Sequence, residues 1–66
     1  MIAGIIGGTG QMGRFFAGVF QTAGWETVVS GRRTELTNRD VAEMADLVLV
    51  SVPIRATAEV IREIAP

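Results

Sequence analysis

A cluster of four glycines between positions 7 and 13 is the feature that most constrains how this 66-residue chain can fold. The cluster follows a short apolar run, Ile2 to Ile6, which fits a strand buried on both faces better than a helix of that length. After the cluster, apolar residues recur at spacings of three and four, as on the buried face of an amphipathic helix. The glycines therefore predict a tight turn between a strand and a helix.

The next elements continue this alternation of strand and helix. The first helix is predicted over residues 11–23, and Gly24 supplies the residue that ends it. A β-branched run within residues 25–30 predicts a second strand, because such side chains pack well on a pleated surface. A polar stretch then separates this strand from the rest of the chain.

The second half of the chain predicts a helix, a strand and a last helix. Thr37, with Asp40 three residues later, predicts a capping box at the start of a short helix over 38–45. An aliphatic run over 47–52 predicts the third strand, which we expect to be the most buried of the three. Thr57 is the expected cap of the last helix.

The predicted element order is βαβαβα, which is typical of an α/β fold with a parallel sheet. Parallel strands need crossover connections, and right-handed crossovers place the first strand in the middle. The second crossover is short, at about sixteen residues, so it is abridged relative to a full mononucleotide-binding unit. We therefore expect an abridged Rossmann-type fold in three layers, with strand order 2-1-3.

Composition excludes several kinds of chemistry. The chain has no Cys and no His, which excludes disulfides, a thiolate nucleophile, an imidazole base and the usual zinc ligands. Six arginines against seven acidic residues give a net charge of −1, so neither nucleic acid nor an anionic membrane is an expected partner. No apolar run reaches the roughly 18 to 20 residues that span a bilayer. We expect a cytoplasmic chain without a catalytic or metal site.

Residues 8–13, GTGQMG, match the pattern GxGxxG directly after a predicted strand and at the start of a predicted helix. That context indicates a dinucleotide-binding loop and disfavours the alternative that the glycines only form a turn. In this interpretation Gly8 permits the tight turn, Gly10 lets the backbone approach a pyrophosphate, and Gly13 lets the helix pack closely on the sheet. The amides of the first helical turn then face the phosphates. The predicted cofactor-binding residues of the loop are Gly8, Thr9, Gly10, Gln11, Met12 and Gly13.

The end of the second strand predicts which dinucleotide binds. An acidic residue at this position accepts a hydrogen bond from the ribose 2′-hydroxyl of NAD, but here the position is Ser30. Arg32 and Arg33 follow, and two guanidinium groups can bind a 2′-phosphate. The pattern favours NADP over NAD. The alternative is that both arginines lie in a solvated loop whose charge Glu35 partly offsets.

The end of the third strand predicts the other half of the site. Ser51, Val52 and Pro53 come at the point where the strand order reverses, which is where parallel α/β sheets bind ligands. We expect their backbone to border the far ribose or the nicotinamide. Ser51 has no base to activate it in a chain without His or Lys, so we do not expect it to be a nucleophile.

Residues 6–14, IGGTGQMGR, and residues 49–54, LVSVPI, resemble the N-terminal NAD(P)-binding segment of the prephenate and arogenate dehydrogenases of tyrosine biosynthesis. The resemblance covers nearly the whole chain. It implies hydride transfer from prephenate or arogenate to NAD(P)+ with loss of carbon dioxide, in proteins whose catalytic His, substrate-binding Arg residues and dimerisation domain lie downstream. Residues 1–66 would then be part of an NAD(P)-binding domain, without turnover of its own.

Other functions share parts of this pattern. The GGTG start and the Ser30-Gly31-Arg32 turn also resemble a reductase that uses a deazaflavin with NADP, and β-hydroxyacid dehydrogenases share the layout. Residues 11–14 and 51–54 favour prephenate dehydrogenase over both. A stand-alone dinucleotide-binding module, such as a sensor, is the alternative from a different functional class.

The third strand also predicts self-association. If residues 47–52 lie at one side of the sheet, they present unpaired backbone groups on an apolar edge. A three-stranded sheet with three short helices has little core, so we expect that edge to pair with a second copy in a homo-oligomer.

Overall fold

The computed structural model describes residues 1–31 and 34–65. Strands and helices alternate in the predicted order βαβαβα. The three strands are parallel and lie in the order β2-β1-β3, which confirms the predicted α/β fold and strand order. The elements are β1 (Ile2–Ile6), α1 (Gln11–Thr22), β2 (Glu26–Ser30), α2 (Asn38–Met44), β3 (Leu47–Val50) and α3 (Ile54–Ile64). None of the helices in these ranges is long and apolar enough to cross a membrane.

The helices cover both faces of the sheet, as in a three-layer fold. Val28 of β2 packs against the cluster that contains Val41 of α2 and Val60 of α3. Its neighbour Thr27 points to the opposite face, where its hydroxyl accepts a hydrogen bond from Gln21 of α1. Because successive strand residues face opposite sides, α1 lies on one face and α2 with α3 on the other.

The most buried strand is β1, and the prediction that the third strand would be most buried is wrong. Ala3, Ile5 and Ile6 of β1 are fully buried, because β1 has a strand on each side and helices on both faces. In contrast, β3 lies at the edge of the sheet, and its first residue, Leu47, is 44% exposed. Apolar composition alone did not distinguish a central strand from an edge strand.

The predicted end of α1 and the predicted start of β2 each differ from the structure by one residue: α1 ends at Thr22, and β2 begins at Glu26. Gly24 has the left-handed φ of +89° expected of a residue that ends a helix. Trp25 precedes β2 and lies outside it, and its ring packs on that of Phe20 with centroids 5.2 Å apart. The Trp25 amide also donates to the Phe20 carbonyl oxygen at 3.0 Å, and pairing with β1 starts only at Glu26.

The start of α3 was predicted incorrectly. The strand β3 ends at Val50, two residues before its predicted end, and α3 begins at Ile54 with Pro53 as its N-cap. Thr57, the predicted cap, lies within the first turn, and its hydroxyl donates to the carbonyl oxygen of Pro53 at 3.4 Å. Thr57 therefore bonds back along the helix, a known alternative to capping for a hydroxyl side chain.

The predicted capping box of α2 is present. The Thr37 hydroxyl accepts from the Asp40 amide at 3.1 Å, and the Thr37 amide donates to the Asp40 carboxylate at 3.0 Å. The backbone hydrogen bond and then the hydroxyl hold the pKa of the Asp40 carboxyl below its ordinary value of 3.8. The ionised carboxylate thus stabilises the start of the helix that carries Val41 into the core.

The capping box predicts a pH dependence of stability. A carboxyl whose pKa is lowered by folding contributes stability above its unfolded pKa, and this is lost as the pH falls through the folded value. We expect Asp40→Asn to lower the urea midpoint at neutral pH, and this difference from the wild type to shrink below pH 3.8. Thr37→Ala should itself destabilise the protein by about 1 kcal/mol. In that background, the stability difference caused by Asp40→Asn should depend less on pH. A difference that is the same at every pH would contradict this role of Asp40.

Candidate functional site

A cavity of about 470 Å³ opens at the carboxyl ends of the three strands, and we call it the carboxyl-edge cavity. This is the edge of a parallel α/β sheet at which ligands bind. Its lining comes from the residues that follow each strand and from the start of α2: Ile6, Gly7, Thr9, Gly10, Gly31, Asn38, Ser51, Val52 and Pro53.

The structure brings some of the predicted site residues to this cavity and leaves others outside it. Those in the lining are Thr9, Gly10, Ser51, Val52 and Pro53. Those not in the lining are Gly8, Gln11, Met12, Gly13 and Ser30. Met12 is 57% exposed on the outer surface of α1. Arg32 and Arg33 lie outside the described residues.

The tight turn after β1 includes Gly8, as predicted, but its left-handed residue is Gly7. Gly7 has a φ of +83°, which side chains rarely tolerate, and a Cβ there would collide with the carbonyl oxygen of Ser51. The amides of Gly7 and Gly8 both donate to the carbonyl oxygen of Ser30, at 2.8 and 3.0 Å. The turn thus joins the ends of all three strands.

Gly13 is the buried residue of α1, and its closest neighbours belong to the turn before the helix. A Cβ at Gly13 would lie 2.6 Å from the carbonyl oxygen of Gly7. A side chain at this position would therefore separate the start of α1 from the turn that precedes it, while the helix as a whole lies on one face of the sheet. Gly8 approaches β2 instead, since a Cβ there would lie 2.7 Å from the side chain of Val29.

Gly10 is the glycine that leaves space for a ligand. It is the N-cap of the twelve-residue helix α1, it is exposed, and it lines the carboxyl-edge cavity. Its φ of −78° and ψ of 173° suit any residue, and a Cβ would meet only the Gly7 carbonyl oxygen, at 3.5 Å. Among the described residues no side chain caps α1, and its first turn has no acidic residue. The first-turn amides and the positive end of the helix dipole therefore face an opening that suits an anion.

Ser30 occupies the end of β2, but its side chain does not reach the cavity. It is fully buried, and its hydroxyl donates to Oδ1 of Asn38 at 2.7 Å. An aspartate at this position would bury a carboxylate against the Asn38 oxygen and would be destabilising. Ser30 therefore contributes no negative charge to this end of the site, and its side chain does not contact the cavity.

Asn38 lines the cavity, although the sequence did not predict it as a site residue. Its Oδ1 accepts from Ser30, and its Nδ2 donates to Oε2 of Glu63 at 3.1 Å. The only sequence signal was its position directly after the cap Thr37, because a crossover helix starts at the carboxyl edge of the sheet, near the end of the strand that it follows. Nothing in the spacing linked it to Ser30, eight residues earlier, or to Glu63 on α3.

Thr9 and Gly31 bring the first two loops together at the cavity. A Cβ at Gly31 would collide with the hydroxyl oxygen of Thr9, so the chain leaving β2 passes directly beside the glycine loop. On the other side, the Ser51 amide donates to the Ile6 carbonyl oxygen at 2.7 Å and extends the pairing of β1 and β3 by one bond. Both neighbouring loops are thereby fixed to the turn.

The chemistry available in this cavity is binding by neutral groups. Its described lining carries backbone amides, two hydroxyls and one carboxamide, and no ionisable side chain. The ranges 1–31 and 34–65 also contain no group of three metal-ligating side chains. The described site can hold an anionic ligand but offers no acid or base for a reaction.

Comparison with known proteins found two informative relatives. A probable arogenate/prephenate dehydrogenase of Methanocaldococcus jannaschii is 37% identical over 94% of this chain and 17% of its own length. The T-protein of Haemophilus influenzae is 34% identical over 94% of this chain and 16% of its own length. The chain thus spans about one sixth of the length of these curated relatives. No family model and no solved structure matches it.

The turn at Gly7 predicts opposite effects for the same substitution at two glycines. Gly7→Ala should lower the free energy of unfolding by about 2 kcal/mol or more, because alanine is strained at positive φ and would also meet the Ser51 carbonyl. Gly18→Ala is the matched control: it lies inside α1 with open space around it and should stabilise by about 0.5 to 1 kcal/mol. Urea unfolding followed by circular dichroism measures both. Equal stability of Gly7→Ala and the wild type would contradict the described turn.

Proposed function

Since the chain belongs by sequence to the arogenate/prephenate dehydrogenase family, we propose that its carboxyl-edge cavity binds a nicotinamide dinucleotide through the glycine loop. Residues 1–66 are then the start of an NAD(P)-binding domain. The observation that carries the proposal is Gly10, an exposed N-cap with no side chain between the first turn of α1 and the cavity.

The pyrophosphate is the part of the ligand that this loop fits best. The twelve residues of α1 give it a dipole whose positive end lies at Gly10, and the first-turn amides supply hydrogen-bond donors. A side chain at position 10 would occupy the space in front of those donors. The cavity volume, about 470 Å³, lies within the usual range for small-molecule sites.

The two halves of the ligand extend from this point towards different strands. By the general arrangement of dinucleotide-binding sheets, the adenosine ribose lies near the end of β2, beside Gly31 and Asn38. The nicotinamide half lies towards the end of β3, bordered by Ser51, Val52 and Pro53. We propose that a full-length protein containing this segment transfers a hydride from prephenate or arogenate to the bound dinucleotide. The acid, base and substrate groups for it would have to come from outside these residues.

We propose NADP as the preferred dinucleotide. The described residues at the end of β2 offer the neutral groups of Ser30 and Asn38 where an NAD site has a carboxylate. In the sequence, Arg32 and Arg33 follow directly and carry the positive charge that a 2′-phosphate requires.

Calorimetric titration tests both parts of the proposal. The chain should bind NADP more tightly than NAD, and Gly10→Val should weaken binding of both by about ten-fold or more, because the valine fills the phosphate position. The fold should survive, since the backbone at Gly10 is extended and unstrained. Gly18→Val, the same change on the open side of α1, should bind like the wild type. Unchanged affinity of Gly10→Val would refute the phosphate site, and tighter binding of NAD would refute the preference.

We also propose that the chain self-associates through the free edge of β3. Within the described sheet β3 pairs only with β1, so its outer backbone groups have no strand partner. Its residues are aliphatic throughout, and Leu47 is partly exposed at its start. An apolar edge of this kind pairs readily with another strand.

Sedimentation equilibrium at micromolar concentration should therefore detect a dimer or larger assembly. Leu47→Lys should shift it towards monomer, because a charge on the free strand disfavours pairing and the partly exposed position tolerates it. Ile61→Lys places the same charge on α3, at a residue that is 51% exposed, and should leave the assembly unchanged. A wild-type chain that is monomeric at every concentration would show that the edge does not pair.

A further inference from the structure

We propose that Asn38 recognises the 2′ substituent of the adenosine ribose, and that the buried Ser30 is the residue that positions its carboxamide. The inference rests on the proposed dinucleotide binding. It reassigns the contact from Ser30, the residue that the strand position indicates, to its hydrogen-bond partner on α2.

The orientation of the Asn38 carboxamide follows from its two partners. A carboxylate can only accept hydrogen bonds, so the atom 3.1 Å from Glu63 must be the amide nitrogen. The oxygen then faces Ser30, whose hydroxyl must donate to it at 2.7 Å. Ser30 is fully buried, so water does not compete for its hydroxyl. This hydrogen bond can therefore hold the Asn38 carboxamide in one orientation.

This orientation leaves a donor available to a ligand. The Asn38 amide nitrogen carries two hydrogens, and Glu63 accepts one of them. The other has no acceptor in residues 1–31 and 34–65. Asn38 lines the cavity together with Gly31, directly after the end of β2 where the adenosine ribose is expected. A hydroxyl oxygen or a phosphate oxygen at the 2′ position can accept this hydrogen.

The neutrality of Asn38 determines what it accepts. A carboxamide donates to a phosphate, whereas a carboxylate in the same place would repel it and would accept from a 2′-hydroxyl instead. Glu63 opposes phosphate binding from behind Asn38, but it is exposed and its charge is screened by solvent. The charge at these two positions should therefore set the preference between NADP and NAD.

The test is the ratio of the NADP and NAD dissociation constants, measured by calorimetry on the whole 66-residue chain. Asn38→Asp should weaken NADP binding by about ten-fold while NAD binding changes little, so that the ratio shifts about ten-fold towards NAD. Glu63→Gln should move the ratio about two- to three-fold in the opposite direction. Glu26→Gln removes the same charge at the amino end of β2, about 13 Å from Ser30, and should leave the ratio unchanged.

Two further variants keep the test decisive. Ser30→Ala should lower the preference for NADP, because the carboxamide loses its fixed orientation; a purely structural serine would change both affinities equally. If Asn38→Asp does not fold because the new carboxylate faces Glu63, combining it with Glu63→Gln removes that repulsion. A ratio that stays constant in the folded Asn38 variants would overturn the role of Asn38 and leave dinucleotide binding intact. A wild-type chain that binds neither nucleotide would overturn both.

Discussion

The carbonyl oxygen of Ser30 accepts hydrogen bonds from two consecutive amides, those of Gly7 and Gly8, and the rest of the site depends on this interaction. It fixes the turn after β1 to the end of β2 while Gly7 bends the chain with a φ of +83°. The bend directs α1 away from the sheet edge and leaves its N-terminus open at Gly10.

Much of the fold could be predicted because it depends on local patterns. Short apolar and β-branched runs, apolar spacings of three and four, the capping residues Thr37 and Asp40, and the glycines each specify a short segment. These segments formed nearly as expected, apart from the start of α3. The order β2-β1-β3 followed from the handedness of the crossovers. What local patterns could not give was the relative burial of the strands, because neighbours in the sheet determine it. The run of β3 is aliphatic throughout and still lies at an edge, whereas β1, which contains Gly4, is the central strand.

The site was predicted by position more accurately than by role. The sequence correctly indicated that Gly10 and residues 51–53 would meet at one edge, since all follow strand ends. It could not show that the Ser30 side chain points towards α2, because the sequence does not indicate which face of the sheet each helix covers. Asn38 was not predicted as a site residue, because its position depends on contacts between β2, α2 and α3 that no local pattern indicates.

The described part of the carboxyl-edge cavity contains amides, hydroxyls and one carboxamide, none of which titrates between mildly acidic and mildly alkaline pH. Arginine, the residue at both positions directly after Gly31, also stays protonated throughout this range. The charge of the described cavity lining is therefore constant across this range of pH. A phosphate monoester such as the 2′-phosphate of NADP loses its second proton near pH 6. If the cavity binds NADP as proposed, variation of its affinity across neutral pH should therefore come from the charge of the ligand and not from the described lining of the cavity.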